Sequence, residues 1–305
     1  MSVKIIVAGG TGLVGKALVN RLIETKHDVV VLCRNVDAAQ ASVNPSARME
    51  KWDGRNMGLW DEQIDGAEAV LNFAGESIGA RRWSRARKRV ILESRLDPTK
   101  ALVEAIRKAS RKPRVLVNAS AVGYYGEVED GDVNESHPNG KGFLAGVCSM
   151  WELEARAAET LGVRVVLTRS GVVLGKGAPS LQKMMLPFKL FAGGTVGSGR
   201  QWFPWVHLDD LISAVLFALT NGNLSGAVNV VAPECVRMKQ FCSTLGRTMR
   251  RPSWAPVPSF MLRMILGEMS EIVLTGQKVI PTKLMESGFG FRFPRLAEAL
   301  HSVVN

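Results

Sequence analysis

Along the first 170 residues, short continuous apolar runs alternate with longer segments whose apolar residues recur at helical spacing. "VKIIVAG", "DVVVLCR", "AVLNFAG", "RVLVNAS" and "RVVLTRS" read as strands, each ending in small or polar residues. Between them, "GLVGKALVNRLIETK" puts Leu13, Ala17, Leu18 and Leu22 on one helix face, and helices are expected over roughly 83–109 and 142–161. Apolar strands separated by helices predict a parallel sheet covered on both faces.

After about residue 176 the pattern changes. A loop-rich stretch with Gly, Pro and two Trp leads into a helix, "DDLISAVLFALTNG", and a further strand, "GAVNVVAP". From about 237 come helices, a Pro-rich bend and a final helix, "RLAEALHSV". There is no repeat, low-complexity tract or disordered linker. The expected division is a first domain over 1–175 that also receives about 205–232. The rest, 176–305, is mainly substrate-side and includes a small C-terminal domain over about 250–302.

The first β–α turn, "IIVAGGTGLVG", carries Gly9, Gly12 and Gly15 directly after a strand and opening a helix. In that context the spacing predicts a dinucleotide site. Gly9 permits the tight turn, Gly12 lets the backbone approach a pyrophosphate, and Gly15 allows close helix packing. The helix N-terminus offers free N–H groups and partial positive charge to the phosphates. The fold class is therefore α/β: a Rossmann-type doubly wound parallel sheet with a smaller C-terminal α/β substrate domain.

The end of the second strand selects the cofactor. An NAD site would place an acid there for the ribose 2′-OH. This chain has Cys33-Arg34-Asn35, and Asp28 lies at the opposite end of the strand. A guanidinium suits a phosphate dianion, so Arg34 points to NADP. Asp53, after the third strand, is placed to accept from the adenine amino group. Ala74 and Gly75 are small enough for the cofactor to lie across the sheet edge. Glu76, just beyond, has two open readings: a group near the cofactor, or a partner for Arg81 or Arg82.

Composition narrows the class. The chain has 305 residues and a net charge of +11. Residues 81–114 hold 13 Lys/Arg and 3 acids, which accounts for +10 of that total. This stretch reads either as a docking face for a polyanion or as a solvated helix face with one or two residues turned toward a cofactor phosphate. No aromatic interleaving or nucleic-acid motif accompanies it, which argues against nucleic acid. The acidic stretch 127–135 is expected to offset part of it. Cys33, Cys148, Cys235 and Cys242 form no CxxC, and the four histidines show no ligand spacing, so no metal site is expected. No run of about 18 apolar residues appears, so no membrane span is expected. With no signal-peptide pattern at the N-terminus, a cytoplasmic protein is expected.

The motifs "GGTGLVG", "LNFAGESI", "RRW", "SRL", "NASAVGYYG", "FLAGVCSMWE", "RSGVVLGKG", "MLPFKL", "QWFPWVHLDDL" and "GQKVIPTKL" with "GFGFRFP" run in order through nearly the whole chain. Together they resemble the extended short-chain dehydrogenase/reductase superfamily, and within it the atypical branch of YfcH-like "epimerase family" proteins. That resemblance implies cofactor contacts at Gly9, Thr11, Gly12, Leu13 and Gly15, and at the strand ends Cys33-Arg34 and Phe73, Ala74 and Gly75. It also implies Arg95 beneath the pyrophosphate, and Ser170, Gly171 and Val172 near the nicotinamide. The superfamily's Tyr, with a Lys four residues later, has no counterpart. Aligning the helix puts Leu144 and Cys148 at those positions, and no Tyr-x-x-x-Lys exists anywhere in the chain.

The remaining chemical candidates keep alternatives open. Ser120 matches the family serine that bonds the substrate, or caps backbone at a strand end. Tyr124 or Tyr125 serves as a weak acid or packs as an aromatic. Cys148 is a thiol acid/base or an inert buried cysteine. The facing loop offers Gln201, Trp202 and His207 to a substrate, while Asp209 and Asp210 read as helix caps. The implied function is an NADP(H)-dependent oxidoreductase or epimerase acting on a small polar, sugar-like substrate. Its alternative is a non-catalytic NADP(H)-binding sensor or scaffold. The substrate and oligomeric state are not legible.

Overall fold

The computed structural model describes residues 2–304. The first half runs β1 (Lys4–Ala8), α1 (Leu13–Glu24), β2 (Asp28–Cys33), α2 (Val36–Gln40), β3 (Arg48–Lys51), β4 (Ala69–Asn72), α3 (Arg85–Lys108) and β5 (Val115–Ala121). It continues through β6 (Asp132–Val133), α4 (Phe143–Arg156), β7 (Arg164–Ser170) and β8 (Val172–Leu174). The second half runs α5 (Pro179–Lys189), β9 (Trp205–His207), α6 (Leu208–Thr220), β10 (Gly226–Val230), α7 (Met238–Met249) and α8 (Ser259–Leu266). It ends with α9 (Glu271–Leu274), β11 (Lys278–Val279), α10 (Thr282–Glu286) and α11 (Leu296–Val304).

Seven strands form one parallel sheet in the order β10-β7-β5-β4-β1-β2-β3. The order reverses direction between β1 and β4, and this switch point lies at the strand ends where α/β sheets bind ligands. Successive residues of β1 feed opposite faces. Ile5 and Val7 pack with Leu18, Leu22 and Val215, while Ile6 and Ala8 pack with Leu102, Ile106 and Leu116. Both faces are therefore buried, which is why these strands read as unbroken apolar runs.

Two buried asparagines stitch the middle of the sheet to its helices. Asn72 Nδ2 donates to Asn118 Oδ1 (2.7 Å) and to Thr99 Oγ1 (2.9 Å), and the Trp151 indole donates to the same Thr99 (3.0 Å). Neutral amides deep in an apolar layer are tolerated because each finds a partner.

The second half does not stand apart. β10 adds the sheet's seventh strand, β9 pairs with β8, and β11 pairs with β6. A third core joins Leu174, Phe203, Trp205 and Phe241 to Leu296 and Leu300. The last helix thus shares a core with residues from 174 onward. Asp210, at the start of α6, is 1 % exposed and accepts from the Arg292 and Phe293 amides (2.7 and 2.9 Å), pinning the approach to α11. Its expected role as a cap of its own helix is thereby corrected.

Asp210→Ala leaves two amide donors in this packed layer without an acceptor. The expected loss is about 2–4 kcal/mol of stability, read by urea denaturation, with faster hydrogen exchange at residues 292 and 293.

Candidate active site

The turn after β1 is built by backbone touching backbone. Gly9 has φ +79°, and a Cβ there would sit 2.5 Å from the Phe73 carbonyl at the end of β4. A Cβ on Gly15 would lie 2.1 Å from the Gly9 carbonyl oxygen, so the first turn of α1 rests on the glycine turn itself. Gly10 contributes a contact that the sequence spacing did not single out, because a side chain there would strike Val31 at 2.6 Å. Gly12, the N-cap of α1, is exposed and open, and no side chain caps the helix. The first turn also carries no acid. Thr11 is exposed beside it and Leu13 half-buried. The positive end of α1 is thus unblocked and uncompensated, which fits a bound diphosphate.

Cys33 is buried at the end of β2, its thiol 3.7 Å from the Glu50 carbonyl, and burial raises its pKa. Arg34 follows it, exposed, with no ion pair among the described residues. Asp28, at the far end of the strand, is engaged by Arg48 at 2.8 Å. Asp53 accepts from the Arg55 and Asn56 amides (both 2.8 Å) and from Asn56 Nδ2 (2.6 Å). The Asn56 amide and side-chain bonds, with that of Arg55, hold its carboxyl below the usual range. Asp53 therefore first shapes its own turn.

At the end of β4, Phe73 and Ala74 are half-buried and Gly75 is exposed. Arg95, on α3, fills the space behind Gly75 and donates to the Glu76 carbonyl (3.1 Å) and the Ile91 carbonyl (2.9 Å). Burial lowers its pKa from the ordinary arginine value. The Glu76 amide donates to Ser94 Oγ (3.0 Å), and its carboxylate pairs with Arg87 at 3.5 Å, not with Arg81 or Arg82. The basic stretch is about half paired. Arg87, Lys88, Arg89, Lys100, Arg107, Arg111 and Arg114 each have an acidic partner. The acids of 127–135 turn elsewhere: Asp132 pairs with Lys278 (2.7 Å), and Glu135 accepts from the Asn229 and Lys283 amides (3.1 and 3.2 Å).

Helix α4 lies across the end of β5. Leu144 and Cys148 both face Gly123, in the loop that follows Ser120. Four residues further on the same face comes Glu152, and it organises the site. Ser120 Oγ donates to Glu152 Oε1 (2.6 Å), and Arg169 grips both carboxylate oxygens at 2.8 Å. Arg169 also donates to Tyr125 Oη (3.0 Å) and the Glu135 carbonyl (3.3 Å), and its guanidinium lies 3.5 Å from the Tyr124 ring centroid. Tyr125 donates its own hydroxyl hydrogen to Asn229 Oδ1 (2.6 Å). Ser120, Glu152 and Arg169 are each under 5 % exposed.

Burial alone would lower the Arg169 pKa, but the hydrogen bonds and charge of Glu152 outweigh it and the net shift is upward. Burial pushes the Tyr125 phenol up to about 12, despite Arg169. Tyr125 is thus a structural donor, while the Tyr124 hydroxyl has no partner among the described residues. Burial, then Glu152, pushes the Cys148 thiol up to about 11. A thiol protonated at neutrality is no base, which leaves Cys148 as a proton donor or an inert buried cysteine.

Beyond β7, Ser170 Oγ donates to the Ser120 carbonyl (3.3 Å), and a Cβ on Gly171 would meet the Pro204 carbonyl at 2.8 Å. The Val172 amide donates to that same carbonyl (2.8 Å). Gln201 spends its amide on the Val196 and Val273 carbonyls (3.0 and 2.8 Å). Trp202 is half-buried with the Arg237 guanidinium 3.7 Å from its ring centroid. His207 is buried, with both ring nitrogens engaged within the fold. Its Nδ1 accepts from the Asp209 amide (3.1 Å), capping α6; its Nε2 meets Ser302 Oγ (3.1 Å), and Phe293 stacks at 3.9 Å. Burial lowers its pKa. A ring whose two nitrogens are both engaged inside the C-terminal core is a structural cap.

Comparison with known proteins agrees with this geometry. Residues 5–231 match the model of the NAD dependent epimerase/dehydratase family, and residues 257–303 match a domain of unknown function, DUF1731. The chain belongs to the NAD dependent epimerase/dehydratase family. An Arabidopsis thaliana relative, named "Epimerase family protein SDR39U1 homolog, chloroplastic", is 42% identical over 300 residues, covering 98% of this chain and 86% of its own. Epimerase family protein YfhF of Bacillus subtilis is 38% identical over 302 residues, covering 98% and 97%. The crystal structure of the human epimerase family protein SDR39U1 with NADPH superposes with TM-score 0.86 at 33% identity, covering 98% of both chains. A UDP-glucose 4-epimerase from Thermotoga maritima shares the fold at TM-score 0.81 and 18% identity.

For this epimerase-family chain, the glycine turn, the strand ends and the α4 network all gather at one edge of the sheet. Glu152 and Arg169 were missed from the sequence, although a signal was present. Residues 144, 148 and 152 share one helix face, and Arg169 puts a charge into the buried part of a strand whose other buried residues are uncharged. A charge in such a strand demands a buried partner. No helix of the described residues is long and apolar enough to cross a membrane, and no group of His, Cys, Asp or Glu among them could hold a metal ion.

Glu152→Ala strands a buried guanidinium. It is expected to cost about 3–5 kcal/mol in urea denaturation, with Glu152→Gln losing less. The Cys148 thiol supplies a second test. Its folded pKa of about 11 lies above the ordinary 9.0, so its contribution to stability is full below pH 9 and disappears as pH rises through 11. Cys148→Ala is expected to flatten the pH dependence of the denaturation midpoint across that window.

Proposed function

We propose that the chain binds NADP(H) and acts as an oxidoreductase or epimerase on a small polar, sugar-like substrate without a Tyr-x-x-x-Lys pair. One observation carries the cofactor choice: β2 is followed by an exposed Arg34 with no ion pair among the described residues, and the acid on that strand, Asp28, is bound by Arg48 at its opposite end. A guanidinium there suits a 2′-phosphate and offers nothing specific to a bare ribose. The human relative solved with NADPH supports the same reading. Gly9, Gly12 and Gly15 open the backbone to the diphosphate, with Thr11, Leu13 and the strand-end residues Phe73, Ala74 and Gly75 beside it. Asp53 is assigned to the adenine end, and Ser170 to Val172 to the nicotinamide end. Arg95 holds the Glu76 turn in place.

A bound nicotinamide would supply the hydride donor or acceptor. The chain's own residues handle the proton. Ser120 has its hydrogen committed to Glu152, so its free lone pairs accept from a substrate hydroxyl. As that proton moves to Ser120 Oγ, the serine hydrogen passes to the Glu152 carboxylate. In the reverse direction the same relay runs backwards, from Glu152 through Ser120 Oγ to the substrate oxygen; Tyr124, whose hydroxyl has no partner among the described residues, is the alternative weak acid. Gln201 and Trp202 frame the substrate side through the backbone they hold.

A second reading, a non-catalytic NADP(H) sensor or scaffold, is favoured by the apolar pair Leu144 and Cys148 where the superfamily carries its dyad. The four unpaired cysteines support a reducing compartment such as the cytoplasm under either reading.

Calorimetry is expected to give tighter binding of NADPH than NADH, with Arg34→Ala weakening NADPH by about 10–100-fold, the value of one or two charge-assisted hydrogen bonds, and leaving NADH unchanged. Equal affinities in the wild type would remove the NADP assignment. Turnover of NADPH against carbonyls and sugar nucleotides, lost in Ser120→Ala with cofactor binding intact, would support the enzyme. Binding without turnover would favour the sensor.

A further inference from the structure

One surface is unlike the rest of the molecule. Helix α8 carries six apolar residues among its eight, yet none of them is buried. Phe260 and Met264 are each 68% exposed and Ile265 57%. Trp254, just before it, is 71% exposed. The C-terminal end of α5 adds Leu190 at 68% and Phe191 at 56%. The two segments run side by side. Ala255 and Val257 donate their amides to Gly193 and Thr195 (3.0 and 2.8 Å), Gly197 donates back to Val257 (2.9 Å), and the Arg251 guanidinium lies 4.5 Å from the Phe191 ring centroid. An eight-residue helix gains little from its own hydrogen bonds in water, so burial of its apolar side chains must come from a partner.

Charge identifies that partner. Segments 179–200 and 247–266 contain seven Lys and Arg and no acid. Lys189, Arg250, Arg251 and Arg263 are exposed among the apolar residues. Phe191 and Arg250 hold left-handed backbone, with φ of 58° and 53°, at helix ends where glycine would be unstrained. A bulky aromatic and a cation are thus kept exposed at positions that disfavour them. A second copy of this face would oppose cation with cation. Apolar and aromatic side chains set among Lys and Arg, with no helix among the described residues long and apolar enough to span a membrane, match instead the chemistry of a surface that is oily below and anionic above.

We propose that this face, built from the end of α5, the 250–258 bend and α8, docks the protein peripherally on an anionic lipid bilayer. The contact lies on the membrane and does not cross it. Leu190, Phe191, Trp254, Phe260 and Met264 enter the headgroup boundary, and the surrounding cations pair with lipid phosphates.

The test is co-sedimentation of the full chain with phosphatidylcholine vesicles, with and without phosphatidylglycerol. Recovery is expected with the anionic vesicles alone, falling about tenfold or more when salt is raised to about 0.5 M. Lys189→Glu with Arg263→Glu is expected to weaken binding by about tenfold or more. Leu190→Asp with Phe260→Asp is expected to abolish it, with NADPH affinity unchanged as the check on folding. Brominated acyl chains are expected to quench tryptophan emission in the wild type and not in Trp254→Phe. No recovery of the wild type with anionic vesicles, or equal recovery with both kinds, overturns the proposal. So does a vesicle-free dimer that Leu190→Asp with Phe260→Asp dissolves, because the face would then join two copies of the chain.

Discussion

The buried pair between Glu152 and Arg169 is the constraint on which the second half of the molecule and the chemistry both depend. Two ions 4% and 3% exposed lose most of their hydration. Such a pair is tolerated only when geometry and additional hydrogen bonds make up the loss. Here the guanidinium makes four hydrogen bonds and lies over the Tyr124 ring, and the carboxylate takes a third donor from Ser120. The pair joins α4 to β7. Through Tyr125 and Asn229 it reaches β10 and the Ile280 carbonyl in the C-terminal part. The same bonds that hold these elements together fix the direction in which the Ser120 hydrogen points.

The phosphate end is governed by steric exclusion instead of charge pairing. Gly9 and Gly15 let three backbone segments meet at distances no side chain would permit. The result is a helix N-terminus with no cap, no first-turn acid and an open approach at Gly12. Its polar groups are arranged before any ligand arrives, so little reorganisation is required on binding. On α4, Leu144 and Cys148 face Gly123, and the charged group of that helix face, Glu152, comes one turn later.

Charge is distributed by the same logic. About half of the basic stretch around α3, conspicuous in the chain, is matched to acids on the same helix or on neighbouring elements, and exposed pairs of that kind add little to stability. The face around α8 is quieter in net charge, but its cations have no acids among them and are mixed with exposed apolar side chains. What a charged segment can recognise depends on the charges left after folding has paired the others.

By itself, the sequence determined the elements and the phosphate turn. Strand runs, helix spacing and the three glycines are local, because backbone conformation and side-chain period are set within a few residues. The lack of a Tyr-x-x-x-Lys pair is a property of composition and needed no coordinates. The long helix pair and the parallel sheet followed from the same periodicities. Tertiary structure decided which polar side chains were left free. His207 looked like a titrating group on a loop and became a cap inside the C-terminal core. Asp210 looked like a cap and became an anchor for residues 292 and 293. Glu152 and Arg169, 17 positions apart, acquired meaning only when α4 crossed the end of β7. Hydrogen bonds and ion pairs act over a few ångströms, and only the folded chain determines which groups come within that range.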